Sequence, residues 1–212
     1  MKPNFLPSWI KDWYINLIKP IINLFIRYRL NPNWFTTLGL IFSVVAAYFF
    51  ARGIHRLGGL IYLLAGTFDI IDGKVARSAG RVTKFGALYD STLDRYAELI
   101  ILFGLVYYFG QHSPMKWLNI DWASVSYVAT AVAIGGSVMV SYIRARAEGL
   151  GLECAIGMMQ RPERVVYLGC GAVFHQITLI IAILLIAFFS NITAIQRLIY
   201  VRKQAKSKIV DS

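Results

Sequence analysis

Long apolar runs alternate with short polar breaks along most of this chain. The runs extend over about Trp34 to Ala51, Leu57 to Arg77, Thr83 to Gly110, Ala123 to Arg146, Pro162 to Phe174 and Ile177 to Tyr200. A helix crossing a bilayer needs roughly 20 predominantly apolar residues, and five of the six runs approach or exceed that; the fifth is short. The breaks are polar and turn-forming: Asn31-Pro32-Asn33, Arg52 to Arg56, the hydrophilic crossing Lys74 to Lys84, Gln111 to Trp122 with Pro114 and Asp121, and His175-Gln176. Pro162 suits the first turn of a helix. In lipid, every backbone polar group must be satisfied within the segment, which favours helices. The pattern predicts an all-α integral membrane protein with six transmembrane helices.

The segment Pro7 to Leu30 differs. Trp9, Ile10, Trp13, Leu17, Ile21, Leu24 and Phe25 recur at helical spacing, with Lys11, Lys19, Arg27 and Arg29 between them. This predicts an N-terminal amphipathic helix lying in the interface, tryptophans at headgroup depth and a kink at Pro20. Three regions follow: residues 1–30 as the interfacial helix, 31–202 as the six-helix transmembrane domain, and 203–212 as a basic tail.

Composition agrees with a membrane chain. Of 212 residues, 57% are hydrophobic and 16% charged, and the mean hydropathy is +0.56. The net charge of +11 suits an anionic lipid surface, and so apolar a chain argues against nucleic acid as the partner of that charge. Lys and Arg concentrate at the two ends and in the breaks after the second and fourth runs, while Arg52, Arg56 and Lys116 fall on the other side. The positive-inside rule then puts both termini on the cytoplasmic side of the cytoplasmic membrane. The opening residues MKPNFLPSWIKDW lack the pattern of a cleaved signal peptide. Cys154 and Cys170 show no ligand spacing. His55 and His112 fall on the outer side, away from the acidic cluster described next, and His175 marks a turn.

Four carboxylates interrupt this apolar background: Asp69 and Asp72, three residues apart, and Asp90 and Asp94, four apart. On helices both spacings put the pair on one face, roughly 4.5 to 6 Å apart along the axis. The pairs flank the crossing at Lys74 to Lys84, so a helical hairpin would bring them face to face near one membrane surface. Like charges so close take protons or hold cations. Hard oxygen donors without clustered His or Cys favour magnesium, manganese or calcium over zinc or copper. Magnesium usually shares its coordination with substrate phosphates, which points to dication-dependent phosphoryl or phosphatidyl transfer.

Asp69, Asp72, Gly73, Ala76, Arg77, Gly86, Asp90 and Asp94 match the pattern D-x2-D-G-x2-A-R-x8-G-x3-D-x3-D at all its fixed positions. That run resembles the signature of the CDP-alcohol phosphatidyltransferases. The resemblance implies a CDP-linked lipid donor, CDP-diacylglycerol, from which an alcohol displaces CMP. It assigns Asp69, Asp72 and Asp90 as ligands of magnesium or manganese, as a pair of ions, with Asp94 as general base and further ligand; Asp90 and Asp94 are interchangeable at this level. It places the nucleotide and its phosphates against Gly73, Ala76, Arg77 and Gly86, with small residues allowing close approach and Arg77 offering a planar fork. Pro32-Asn33 and Thr36 resemble the segment that precedes the first span in this family.

A second stretch, Ser141-Tyr142-Ile143-Arg144-Ala145-Arg146-Ala147-Glu148-Gly149-Leu150-Gly151, is followed by Arg161-Pro162-Glu163-Arg164. Clustered arginines suit a second anion, as a phosphorylated alcohol would supply. The stretch is similar to the phosphatidylinositol-phosphate synthase branch and its archaeal archaetidylinositol-phosphate relatives. That resemblance gives Ser141, Arg144, Arg161, Arg164 and Arg197 the acceptor phosphate, and Glu148 and Glu163 the task of orienting arginines. Met158-Met159-Gln160 depart from the branch. The acceptor implied is inositol phosphate, with glycerol 3-phosphate as the alternative and a homodimer as the assembly. A non-catalytic transporter or scaffold is the alternative from another class.

Overall fold

A computed structural model of the chain describes residues 8–28, 30–78, 80–112, 116–117 and 120–210. Pro7, Arg29 and Pro114, which figure in the sequence reading, lie outside the described residues. The elements are α1 (Ser8–Arg27), α2 (Pro32–Ala51), α3 (His55–Ser78), α4 (Lys84–Gln111), the short strands β1 (Lys116–Trp117) and β2 (Ile120–Asp121), then α5 (Trp122–Gly149), α6 (Arg161–Phe174) and α7 (Gln176–Val210).

The helix starts are where the sequence puts caps. Asn31 accepts from the Asn33 amide, with Pro32 opening α2. Thr83 accepts from the Gly86 amide at 2.9 Å and opens α4, and Asp121 caps α5. Each satisfies an amide that the helix leaves without a partner. Gly53, at φ 76°, makes the reversal between α2 and α3.

The sequence boundaries shift in two places. The break at 111–122 holds a two-residue antiparallel ladder, Lys116 opposite Asp121 and Trp117 opposite Ile120. Helix α7 continues without interruption past residue 202 to Val210, since the basic run after the last apolar residues is itself a good helix former. Helix α1 continues through Pro20.

Helices α2 to α7 close into a ring, α2 against α3, α3 against α6, α6 against α7, α7 against α5, α5 against α4 and α4 back against α2. The centre is filled by Phe50, Ile101, Leu105, Leu179, Ile183 and Ile186, each at most 2% exposed. Small residues bring the backbones close, as lipid-embedded helices require. A Cβ on Gly104 would lie 2.6 Å from the Ala47 carbonyl oxygen, and one on Gly59 2.7 Å from that of Gly169. Gly136 packs within the chain, against Ser190 and Asn191 of α7.

Apolar side chains face outward as well as inward, unlike those of a water-soluble bundle. Ser43, Ser126, Thr130, Ser190 and Thr193 are buried, while Phe103, Val128, Phe188, Ile195 and Leu198 point outward. The buried hydroxyls of Ser126 and Thr130 return to their own helix: Ser126 donates to the Trp122 carbonyl and Thr130 to that of Ser126. Three of the described helices are long and apolar enough to cross a membrane by themselves: α2, α5 and residues Gln176–Lys206 of α7. The protein is an integral membrane protein.

Helix α1 has three faces. Ile18 and Ile22 are buried against Phe35, Ile71 and Val75. Trp9, Trp13, Leu17, Ile21 and Leu24 form an exposed apolar stripe. Asp12, Asn16, Lys19, Asn23 and Arg27 occupy the remaining arc. Tyr14 Oη lies 2.5 Å from Thr67 Oγ1, two residues before Asp69 on α3.

Candidate active site

The two arms of the acidic hairpin, α3 and α4, pack chiefly on α2, which lies between them in the ring, rather than along each other. Asp69 and Asp72 lie on the last turns of α3, and Asp90 and Asp94 on the first turns of α4. One carboxylate oxygen from each of Asp69, Asp72 and Asp90 falls within 4.8 Å of the others. Three hard donors at that separation match the spacing a divalent cation needs. Asp90 Oδ1 is buried and makes no hydrogen bond, so a carboxylate oxygen is held ready for a ligand. The residues fit magnesium or manganese.

Asp72 is oriented by a hydroxyl, and Asp69 and Asp94 share one guanidinium. Thr36 Oγ1 of α2 donates to Asp72 Oδ2 at 2.6 Å, in a buried setting. The adjacent Thr37 meets Tyr89 Oη at 2.9 Å, so consecutive threonines on α2 touch both acid-bearing helices. Arg161 Nη1 lies 2.6 Å from Asp69 Oδ2 and 2.7 Å from Asp94 Oδ2. Arg95 approaches Asp94 at 3.9 Å. Thus Arg161 of α6 ties Asp94 to Asp69 of the three-acid cluster.

A cavity of about 600 Å³ opens beside Asp72 and Asp90. Gly73, Ala76, Arg77 and Gly86 all line it, joined by Asn31, Asn33, Thr36, Arg81 and Thr83. A Cβ on Gly73 would meet the Arg77 guanidinium at 3.1 Å, and one on Gly86 the Thr83 hydroxyl at 2.9 Å. Both glycines therefore keep space for polar groups in the cavity.

The arginine side is arranged differently. Arg144 is exposed and pairs with Glu148 at 2.8 Å, and Ser141 is half-buried on the same helix. Arg164 and Arg197 are 2% and 3% exposed. Arg164 forks onto Glu98 and donates to the Met159 carbonyl at 3.1 Å. Arg197 donates to the carbonyls of Ile156 at 2.7 Å and Val140 at 2.5 Å. Arg144 of α5, Arg164 of α6 and Arg197 of α7 thus each have a partner, two of them carboxylates. Glu163 is buried.

Residues 29–202 match the family model described as CDP-alcohol phosphatidyltransferase. The chain belongs to that family. Among CDP-alcohol phosphatidyltransferases, the archaetidylinositol phosphate synthase of Methanothermobacter thermautotrophicus is 32% identical to it, over 93% of this chain and 98% of that one. The phosphatidylinositol phosphate synthase of Mycobacteroides abscessus is 34% identical over 91% of this chain and 86% of its own length. Two crystal structures of the Mycobacterium tuberculosis phosphatidylinositol phosphate synthase share the fold. One has CDP-DAG bound: TM-score 0.75 at 32% identity, over 88% of this chain and 94% of that one. The other is in complex with manganese and citrate: TM-score 0.74 at 33% identity, over 86% and 87%.

Sequence reasoning missed Glu98, Thr36 as a partner of Asp72, and Tyr62, which lies buried in the field of Glu98, Arg161, Arg164 and Asp94. Glu98 had a signal: it continues the four-residue spacing of Asp90 and Asp94. The contacts of Thr36 and Tyr62 had none, because they depend on which helices are neighbours.

Proposed function

We propose that this protein transfers a phosphatidyl group from CDP-diacylglycerol to inositol phosphate, giving phosphatidylinositol phosphate and CMP. The observation that carries the reading is the three-acid cluster, two of whose members, Asp72 and Asp90, line the cavity shared by Gly73, Ala76, Arg77 and Gly86. The named activities of the relatives support it, as do the arginines carried by α5 to α7.

Asp69, Asp72 and Asp90 would hold magnesium or manganese, as two ions with Asp94 as a further ligand. Bound there, the ions would neutralise charge on the donor diphosphate. Gly73, Ala76 and Gly86 admit the cytidine end to the cavity, and Arg77 forks onto phosphate oxygen. Asp94 takes the proton of the acceptor hydroxyl. That oxygen then bonds to the lipid-linked phosphorus as the bond from this phosphorus to CMP breaks, and CMP leaves. Ser141, Arg144, Arg161, Arg164 and Arg197 form the acceptor-phosphate region. Arg144 and Arg161 stand at its edge, while Arg164 and Arg197 carry its inner wall.

In this reading α2 to α7 are six transmembrane helices and α1 lies in the interface with its tryptophan stripe in lipid. Residues 31–202 are the catalytic domain and 203–212 a basic tail. Both termini and the acid cluster face the cytoplasm, where nucleotide-activated donors and alcohol phosphates meet, and the protein works as a homodimer. The test is purified protein with CDP-diacylglycerol and a panel of free and phosphorylated alcohols, following CMP. Release with inositol phosphate supports the reading. Release only with glycerol 3-phosphate moves it to phosphatidylglycerophosphate synthesis, and faster release from an archaeal ether-lipid donor moves it to archaetidylinositol-phosphate synthesis.

A further inference from the structure

Glu98 is a buried carboxylate that the reaction above leaves without a task. It sits on α4 one turn beyond Asp94 and is 7% exposed. Arg164 of α6 meets it in a two-point fork: Nε donates to Oε1, and Nη2 donates to Oε2 at 2.8 Å. The third donor, Nη1, holds the Met159 carbonyl at 3.1 Å, just before α6 begins. Such a fork fixes direction as well as distance.

The pair is one of two. Arg161 lies one turn before Arg164 on the same face of α6, and its Nη1 is 2.7 Å from Asp94 Oδ2. Two rungs therefore cross from α4 to α6, Asp94 to Arg161 and Glu98 to Arg164. Helix α4 packs along α2 and α5, whereas α6 packs along α3 and α7. Long charged side chains, rather than close backbone packing, set the distance between the helix that carries the base and the helix that carries the arginines. Stability alone does not call for such a pair, because well-packed apolar residues hold a bundle as well as a buried ion pair does. Ionisable groups at this depth in a membrane protein usually serve function.

We propose that Glu98 is a positioning residue for the acceptor side of the reaction. It acts through Arg164, fixing that guanidinium and the Met159 carbonyl so that the start of α6 and the acceptor phosphate keep a set distance from Asp94. The proposal rests on the phosphatidyl-transfer reading above and adds to it a determinant of acceptor recognition on the helix that bears the base.

The experiment compares wild type, Glu98→Gln, Glu98→Asp and the double variant Glu98→Gln with Arg164→Gln, purified and checked for thermal unfolding. Acceptor and donor KM and kcat are measured with CDP-diacylglycerol and inositol phosphate, and manganese binding is followed by calorimetry. Glu98→Gln is expected to raise the acceptor KM about tenfold while donor KM and manganese affinity stay within about twofold of wild type. Glu98→Asp should recover part of that loss. The double variant leaves no unpaired charge in the core, so it provides a folded test if Glu98→Gln does not fold; its acceptor KM should remain raised. Equal rises in both KM values, a loss of manganese affinity matching the loss of acceptor affinity, or a double variant with the wild-type acceptor KM would each overturn the proposal. A wild-type protein that releases no CMP with any alcohol phosphate overturns the transfer reading itself. Wild-type turnover with unselective variants overturns only the role of Glu98.

Discussion

The donor half and the arginine half of this site are built on opposite plans. The donor half is local: the four aspartates, both glycines and Arg77 come from the consecutive helices α3 and α4, and two of the acids, Asp72 and Asp90, face an open cavity. The arginine half is assembled from α5, α6 and α7, and the guanidinium groups of Arg144, Arg161, Arg164 and Arg197 are turned respectively to Glu148, to Asp69 and Asp94, to Glu98, and to backbone carbonyls. One half keeps a carboxylate oxygen without a hydrogen-bond partner, Asp90 Oδ1; the other presents charge already compensated. A buried arginine without such partners would cost several kcal/mol; a carboxylate cluster that takes up cations is satisfied on loading.

The sharpest way to break this contrast is at the residue between the halves. Asp94→Asn keeps the shape and removes the proton acceptor, so turnover should fall roughly 10²- to 10⁴-fold with CDP-lipid binding retained. CMP release at the wild-type rate would remove Asp94 as the base. Next comes the orientation of the donor half. Thr36→Val deletes the hydroxyl that donates to Asp72 and should weaken manganese binding roughly 10- to 100-fold, as titration calorimetry would read. An unchanged affinity would mean that Asp72 holds its position without help.

On the arginine half, Arg164→Ala should raise the acceptor KM at least about tenfold, near 1.4 kcal/mol, and leave the donor KM nearly unchanged. Equal effects on both substrates would erase the functional distinction between the halves. The smallest effect on catalysis is expected far from either. Gly104→Ala pushes a methyl group against the Ala47 carbonyl, where a Cβ would stand 2.6 Å away. It should cost about 1–3 kcal/mol of stability, seen as a lower unfolding temperature, with both KM values intact.

The same contrast governs what could be read before folding. Asp69, Asp72, Asp90 and Asp94 declare themselves because helical spacing alone puts each pair on one face. Gly73, Ala76, Arg77 and Gly86 fall in the same cavity because they share that hairpin. Arg164 and Arg197 were legible as cations, but nothing along the chain names Glu98, Val140 or Ile156 as their partners, since those lie 66, 57 and 41 residues away. Tail residues after 202 are polar by composition, yet helix propensity carries α7 through them to Val210.

By itself the sequence determined the helical class, the placement of polar breaks and the acidic hairpin, because hydrophobic run length, caps and the 3.6-residue repeat are local properties. Only the tertiary structure decided that six helices close into a ring, that Thr36 orients Asp72, and that Glu98 and Asp94 each meet an arginine of α6. Those are contacts between segments far apart in the chain. They are set by which small residues let which backbones approach and by the need to satisfy each charge once it is buried.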